Sequence, residues 1–253
     1  MRYGCRMMSQ DGQTMYTFDS RIRFSEVDVN KKLSTVGLID YFQDCSTFQS
    51  EDLGVGFDFM TASHAAWIVN YWEIEFYRMP SIGERVRIGT LPYAMKGFMG
   101  LRNFWMETAA GERLAAANSV WTLLDMEKQY PMRVPPLLHE KYVLSPRLEM
   151  KYSQRKVKIP QTEAEQGERI HVMPFHLDTN GHMNNAQYVR LVTDCLPVGR
   201  GIERLRIEYK KQAKLGDSIT PLIYRAGDDD ITVALMGEDN EAYAAAQVLL
   251  RAV

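Results

Sequence analysis

Three side chains with complementary chemistry stand at alternating positions of one short segment. Asp178 supplies a carboxylate, Asn180 a carboxamide, and His182 an imidazole, which can accept a proton. The segment leads into a helix that we predict to begin near Asn185, and a helix N-terminus offers unpaired backbone N–H groups and partial positive charge. Together these groups suit a hydrolytic site that stabilises an oxyanion. Because Asp and Asn are also common turn residues, the pattern alone is a weak indication.

Composition excludes several classes of protein. The chain has 253 residues and a formal net charge of -2, whereas a general nucleic-acid binder normally carries a basic excess. No apolar run is long enough for a membrane span, and the N-terminus has no signal-peptide apolar region, so we expect a cytoplasmic protein. The cysteines Cys5, Cys45 and Cys195 are odd in number and lack a C-x-x-C spacing, which argues against disulfides and a cysteine zinc site. We expect no metal and no cofactor.

The chain contains an internal repeat. Two residues of the reactive segment, Asp178 and Asn180, have counterparts 150 positions earlier, Asp28 and Asn30. The counterpart of His182 is Lys32, so the imidazole is present in one copy alone. A residue confined to one copy favours a role in a site over a role in the fold, whereas Asp178 and Asn180 can equally be turn residues. Further matched pairs are Asp44 with Asp194, Cys45 with Cys195, Glu75 with Glu208, and the block Leu114–Asn118 with Tyr243–Gln247.

The repeat and the apolar patterning predict an α+β fold built twice, with one helix and an antiparallel sheet in each copy. We predict domains at 1–140 and 169–253, joined by a linker at 141–168 in which the charged run Gln161–Glu168 is exposed to solvent. The predicted helices are Thr35–Asp52 and Asn185–Leu196. The predicted strands are Ala66–Arg78, Arg85–Tyr93, Phe98–Glu107 and Leu114–Asp125 in the first copy, and Glu203–Lys211, Ser218–Ala226, Ile231–Glu238 and Ala242–Arg251 in the second.

Several motifs resemble one known family over nearly the whole chain. They include Ala66–Val69, Met79–Glu84 and Ala117–Trp121 in the first half, and Leu177–Tyr188 and Ile207–Lys211 in the second. As a set they resemble the acyl-acyl carrier protein (acyl-ACP) thioesterases, and the chain is identified as a bacterial member similar to the plant fatty acyl-ACP thioesterases. The resemblance implies a tandem, or double, hotdog fold, in which each half is an antiparallel sheet wrapped around a central helix.

The resemblance also implies a site. The catalytic Asp, Asn and His of the family fall on Asp178, Asn180 and His182, but its Glu and following Cys fall on Gln212 and Ala213. A glutamine can hold a water molecule but cannot take its proton, so Asp178 or His182 must be the base. Asn180 and a backbone N–H within 184–186 would hold the thioester oxygen. Direct attack by Asp178, through a mixed anhydride, stays open.

The implied activity is hydrolysis of fatty acyl-ACP to free fatty acid and holo-ACP. Gln212 motivates one alternative, a non-catalytic acyl-binding module, and an acyl-CoA thioesterase of the same fold is another. The expected partners are the acyl carrier protein and a fatty acyl chain bound in the first half, and the sequence leaves open whether two chains form a homodimer. An acidic carrier protein would dock on a basic face. That predicted face consists of Arg200, Arg204, Arg206, Lys210, Lys211 and Lys214.

Overall fold

The computed structural model describes residues 6–10 and 13–251, so Cys5 lies outside the described part. The chain divides into two compact units. The first comprises Met1–Asn70 and Tyr77–Lys151, and the second comprises Tyr71–Phe76 and Tyr152–Val253. The second unit thus begins inside the predicted linker 141–168 and also takes a short segment from the first half of the chain.

The first unit is an antiparallel sheet packed on one long helix. Its strand order is β1-β2-β4-β5-β6-β3, and β7 adds a short pairing to β6. The helices are α1 (Thr35–Asp52), α2 (Phe57–Ala62) and α3 (Pro136–Lys141); the strands are β1 (Arg6–Gln10), β2 (Gln13–Arg21), β3 (Ala65–Phe76, of which Ala65–Asn70 belongs to this unit), β4 (Arg85–Lys96), β5 (Met99–Thr108), β6 (Arg113–Asp125) and β7 (Tyr130–Pro131).

Helix α1 is buried along one face. Ser34 caps its N-terminus, where the side-chain Oγ accepts a hydrogen bond from the backbone N–H of Gly37 (3.0 Å). Leu38, Phe42 and Cys45 recur at spacings of four and three residues and are completely buried. Burial of each large apolar side chain contributes about 1.5–3 kcal/mol, so this stripe holds α1 against β2 and β4.

The second unit repeats this architecture. The segment Tyr71–Phe76 pairs with β10, and the order continues β10-β13-β12-β11, with β8 and β9 both on β11. Helix α4 packs on β12 through a buried face that includes Tyr188 and Val192. The elements are α4 (Asn185–Asp194), β8 (Glu165–Gln166), β9 (Ile170–His171), β10 (Ile202–Tyr209), β11 (Ser218–Arg225), β12 (Asp230–Met236) and β13 (Ala242–Leu250).

A buried ion pair fixes the start of the second unit. Glu73 has no exposed surface, and its carboxylate binds the Arg204 guanidinium of β10. The same carboxylate accepts a hydrogen bond from the backbone N–H of Ser153 (2.9 Å). Farther along, the Glu208 carboxylate accepts from the backbone N–H of Val157 (3.1 Å). These two glutamates therefore tie the segment 153–157 to the sheet of the second unit.

The predicted α+β class and hotdog architecture are confirmed, and each of the ten long predicted elements is present with ends that differ by a few residues. The run Gln161–Glu168 is mostly exposed, as predicted, but Glu165–Gln166 also adds β8 to the edge of β11. Helices long and apolar enough to cross a membrane are absent from the described residues.

Candidate active site

The reactive segment of the second unit is a tight turn organised by Asp178. Its carboxylate Oδ1 accepts hydrogen bonds from the backbone N–H groups of Asn180 (2.8 Å) and His182 (3.3 Å). The backbone N–H of Asp178 donates to the carbonyl of His182 (2.8 Å). Gly181 has φ +73°, a left-handed conformation that glycine adopts without steric cost. Asp178 thereby builds the turn that carries His182.

The first unit contains the same turn. Asp28 Oδ1 accepts from the backbone N–H groups of Asn30 (2.9 Å) and Lys32 (3.0 Å), and the N–H of Asp28 donates to the carbonyl of Lys32 (2.8 Å). Lys31 occupies the left-handed position with φ +61°. The predicted repeat is therefore confirmed at the level of individual hydrogen bonds, and a turn-building role is common to both aspartates.

The side chains of His182 and Asn180 are not used in building the turn. His182 is half-buried and Asn180 is exposed. Within the described residues, neither the imidazole nor the carboxamide has a hydrogen-bond partner in the protein. By contrast, Lys32 in the first unit donates from Nζ to Ser81 Oγ (2.9 Å). An imidazole without a protein partner can accept a proton from a bound water molecule.

The loop after β10 brings Gln212 alongside this turn. The carbonyl of Ala213 accepts from the backbone N–H of Met183 (2.9 Å), and His182 forms a β-bridge with Lys214. Gln212 is exposed next to Ala213, which is completely buried. The structure therefore places the four predicted site residues on two adjoining backbone segments of one unit.

A network that sequence reasoning missed holds this loop. The backbone N–H of Ala213 donates to the hydroxyl of Tyr188 on α4 (2.8 Å). Asp217 Oδ2 accepts from the backbone N–H of Lys214 (2.8 Å) and from the hydroxyl of Tyr243 (2.9 Å). Burial raises the pKa of Tyr243 to about 12, so the hydroxyl keeps its proton at neutral pH. The first unit has a counterpart of the Asp217 contact, because Glu84 Oε2 accepts from the backbone N–H of Ser81 (2.9 Å). The repeat therefore contained a sequence signal for this part of the network.

The start of α4 offers fewer free donors than we expected. The backbone N–H of Asn184 donates to the carbonyl of His176 (2.8 Å), and that of Ala186 donates to the Asn184 side chain (2.8 Å). Two of the three N–H groups predicted to hold the thioester oxygen are therefore engaged inside the protein. The carboxamide of Asn180 has no such competing partner among the described residues.

His176, Cys45 and Cys195 lie in surroundings that favour structural roles over catalytic ones. The His176 ring is buried, and its Nδ1 accepts from the backbone N–H of Met173 (3.0 Å). Burial, followed by the charge of Arg190, lowers the pKa of His176. Cys45 is completely buried, whereas Cys195 is half-buried with a pKa raised by burial to about 11. Such a thiol is a poor nucleophile at neutral pH.

Fewer charges of the predicted basic docking face are free to bind a partner than the sequence suggests, because most of them are paired within the protein. Arg204 binds Glu73, and Arg200 binds Asp229 (2.5 Å). Lys214 is exposed and forms no ion pair within the described chain. The remaining three are engaged as follows: Arg206 with Tyr71 and Gln247, Lys210 with Glu208, and Lys211 with Asp239 and Glu241.

Two units, each an antiparallel sheet on one central helix, with a polar turn leading into the helix, define a tandem hotdog protein. Residues 13–142 match the model of the acyl-ACP thioesterase N-terminal domain, and residues 159–248 match that of the C-terminal domain. The chain therefore belongs to the acyl-ACP thioesterase family.

Individual relatives agree with this assignment. A chloroplastic oleoyl-acyl carrier protein thioesterase from Coriandrum sativum is 24% identical over 262 residues, covering 95% of this chain and 70% of that protein. An acyl-ACP thioesterase structure from Bacteroides thetaiotaomicron aligns with TM-score 0.85 at 18% identity, over 94% of this chain and 98% of its own. The 12:0-ACP thioesterase from Umbellularia californica aligns with TM-score 0.80 at 18% identity, over 94% and 97%. The two structural likenesses show the fold.

Proposed function

We propose that this protein hydrolyses fatty acyl-ACP, releasing free fatty acid and holo-ACP in the cytoplasm, with the acyl chain bound by the first unit. Membership of the family supports the reaction class. The observation that carries the site is the imidazole of His182, which has no hydrogen-bond partner among the described residues and stands on a turn whose other copy carries Lys32. A thioester needs little more than a positioned water molecule, a base and a donor for the carbonyl oxygen.

In the proposed mechanism, His182 takes a proton from water as the water oxygen attacks the thioester carbonyl carbon. Gln212 orients that water, and the Asn180 carboxamide donates to the developing oxyanion. The carbon–sulfur bond then breaks, and the proton returns from His182 to the thiolate. A thiol with pKa near ~8.5 leaves without strong acid assistance. Asp178 acts by holding the turn, since its Oδ1 already accepts two backbone hydrogen bonds.

Release of free thiol from purified acyl-ACP tests this proposal. The change His182→Ala is expected to lower kcat by roughly 10²–10⁴-fold, the usual contribution of a general base. The matched change Lys32→Ala, at the same position of the other turn, should leave kcat within about twofold. Equal activity of the His182→Ala variant and the wild type would show that His182 is not the base.

One observation favours a second function, a non-catalytic acyl-binding module: Gln212 stands where the family resemblance implies a glutamate. Binding of acyl-ACP by the wild type without any turnover would establish that function. A parallel assay with acyl-CoA tests the other alternative, an acyl-CoA thioesterase of the same fold. Such an enzyme should turn over acyl-CoA with a kcat/KM at least similar to that for acyl-ACP.

We propose that the carrier protein docks near Lys214, which lies opposite His182 in the β-bridge and has no ion-pair partner among the described residues. The change Lys214→Glu is expected to raise KM for acyl-ACP and to weaken its dependence on salt, with kcat unchanged. Lys211→Met is the contrasting variant, since Lys211 is bound to Asp239 and Glu241 and should not contribute to docking. An unchanged KM for Lys214→Glu would refute this docking site.

A further inference from the structure

One buried hydrogen bond joins the loop that carries Gln212 to helix α4. The backbone N–H of Ala213 donates to the hydroxyl of Tyr188 (2.8 Å), and Tyr188 is only 2% exposed. This N–H belongs to the peptide group between Gln212 and Ala213, so the bond fixes the orientation of that peptide. Because a buried N–H without an acceptor is costly, the bond holds the loop in one arrangement.

The Tyr188 side chain is itself held in place. Its ring meets the ring of Tyr209 edge to face, with 5.5 Å between the centroids. The hydroxyl of Tyr209 donates to the carbonyl of Asn185, the first residue of α4 (3.0 Å). Burial raises the pKa of Tyr188, so its hydroxyl is uncharged at neutral pH. The acceptor for the Ala213 N–H is therefore rigid and neutral.

The corresponding loop of the first unit has the same backbone arrangement but cannot form this bond. The backbone N–H of Leu33 donates to the carbonyl of Pro80 (2.9 Å), just as that of Met183 donates to the carbonyl of Ala213 (2.9 Å). These matching bonds make Pro80 the counterpart of Ala213. A proline has no backbone N–H, so the donor is missing from this position.

The helix residue differs together with the loop residue. Tyr188 is the fourth residue of α4, and the fourth residue of α1 is Leu38, which has no hydroxyl. Met79, which precedes Pro80, stands in the position of Gln212. The corresponding positions of the first unit thus hold no donor, no acceptor and no carboxamide, as they hold no imidazole. A contact confined to one copy favours a role in the site of that copy over a role in the fold.

We propose that Tyr188 is a positioning residue of the candidate site, which fixes the peptide of Gln212 and thereby the carboxamide that orients the attacking water. This inference rests on the proposed hydrolysis of acyl-ACP. Through its carbonyl, Ala213 is bound to Met183 in the segment that carries His182, and through its N–H it is bound to Tyr188. Ala213 therefore sets where Gln212 stands relative to His182. A misplacement of about 1 Å in such a site can lower the rate by about 10²-fold.

The change Tyr188→Phe removes the hydroxyl and keeps the ring. In the thiol-release assay with purified acyl-ACP, it is expected to lower kcat by about 10- to 100-fold and to leave KM within about threefold, because the buried Tyr188 contributes no binding surface. Tyr41→Phe is the matched control in the first unit. Tyr41 is also buried, its hydroxyl donates to Glu26 (2.8 Å), and its loss should leave kcat within about twofold.

A double-mutant cycle with Gln212→Ala separates positioning from stability. If Tyr188 acts through Gln212, Tyr188→Phe should lower kcat by no more than about twofold once the carboxamide is gone. The same change should still shift the urea midpoint equally in both backgrounds, because the buried N–H loses its acceptor in each. An equal loss of kcat with and without the Gln212 side chain would overturn the proposed route.

The remaining outcomes are distinct. An active wild type whose kcat is unchanged by Tyr188→Phe, or a Tyr41→Phe loss as large as that of Tyr188→Phe, would overturn the positioning role alone. A wild type that releases no thiol would refute the proposed function and, with it, this role. If Tyr188→Phe does not fold, Ala213→Pro replaces it, since it removes the donor and reproduces the residue of the first unit. Wild-type kcat in that variant overturns the proposal.

Discussion

Asp178 and Asp28 build the same turn, and only one of the two turns carries His182. Replacing either aspartate with alanine removes two hydrogen bonds from backbone N–H groups to a carboxylate: 2.8 and 3.3 Å at Asp178, 2.9 and 3.0 Å at Asp28. Both turns are largely open to solvent, so the loss is comparable to that of a helix cap. We expect each alanine variant to lower the free energy of unfolding by about 1–2 kcal/mol.

Activity separates the two variants. Asp178→Ala releases the turn that positions His182 and is expected to lower kcat by at least about 10-fold, whereas Asp28→Ala should leave kcat within about twofold. Asp178→Asn keeps an oxygen at the position that accepts both N–H groups. This variant should therefore retain stability within about 0.5 kcal/mol and activity within about 10-fold.

Urea unfolding and thiol release from acyl-ACP, measured on the same preparations, test this reasoning. An Asp178→Asn protein with wild-type stability but as little activity as His182→Ala would refute the positioning role. In that case the negative charge of Asp178 itself would take part in the reaction, either as the base or as a nucleophile. A large stability loss in Asp178→Ala with none in Asp28→Ala would refute the equivalence of the two turns.

Three further outcomes follow from the structure. Gln212→Glu is expected to keep or raise kcat, and a complete loss in the thiol-release assay would contradict a water-holding role for Gln212. The pKa of His176 is lowered from 6.5, so the unfolded chain binds more protons and stability falls as pH drops below about 6.5. The His176→Asn protein should therefore lose less stability than the wild type between about pH 7 and pH 5, as urea midpoints would show. Arg204→Ala leaves the carboxylate of Glu73 buried without its partner and should destabilise the fold by about 3–5 kcal/mol, an effect that Glu73→Gln in the same chain should partly reverse.

The long elements were predictable because their signals are local and occur twice. The cap at Ser34 and its counterpart Asn184 mark the starts of α1 and α4, and the turns Ser81–Glu84 and Lys214–Asp217 separate corresponding strands. Strand β2 and the short helix α2 were not predicted. The prediction also assigned the whole of β3 to the first copy, whereas Tyr71–Phe76 pairs with β10 in the second unit. Which strand a segment pairs with depends on contacts far apart in sequence, so local pattern cannot predict it.

The residues of the candidate site stay a prediction from the sequence, and the contacts that surround them were not predicted. The contrast of His182 with Lys32 marks the imidazole in the sequence alone. The hydroxyl of Tyr188 that holds Ala213, and the pairing of Tyr243 with Asp217, join residues more than 20 positions apart. The basic face shows the same difficulty. The sequence suggests that Arg204 is available to bind a partner, whereas in the structure it forms an ion pair with Glu73.

The two copies of the turn also bear on how a duplicated chain diverges. The backbone geometry of each turn depends on its aspartate, Asp28 or Asp178, and on the residue with positive φ, Lys31 or Gly181. Reactivity depends instead on the side chain at position 32 or 182. One half can therefore exchange an imidazole for an ammonium group by a single substitution, without remodelling its loop. Selection for stability and selection for chemistry act on different residues of this turn, and after duplication each half is free to specialise while its fold stays intact.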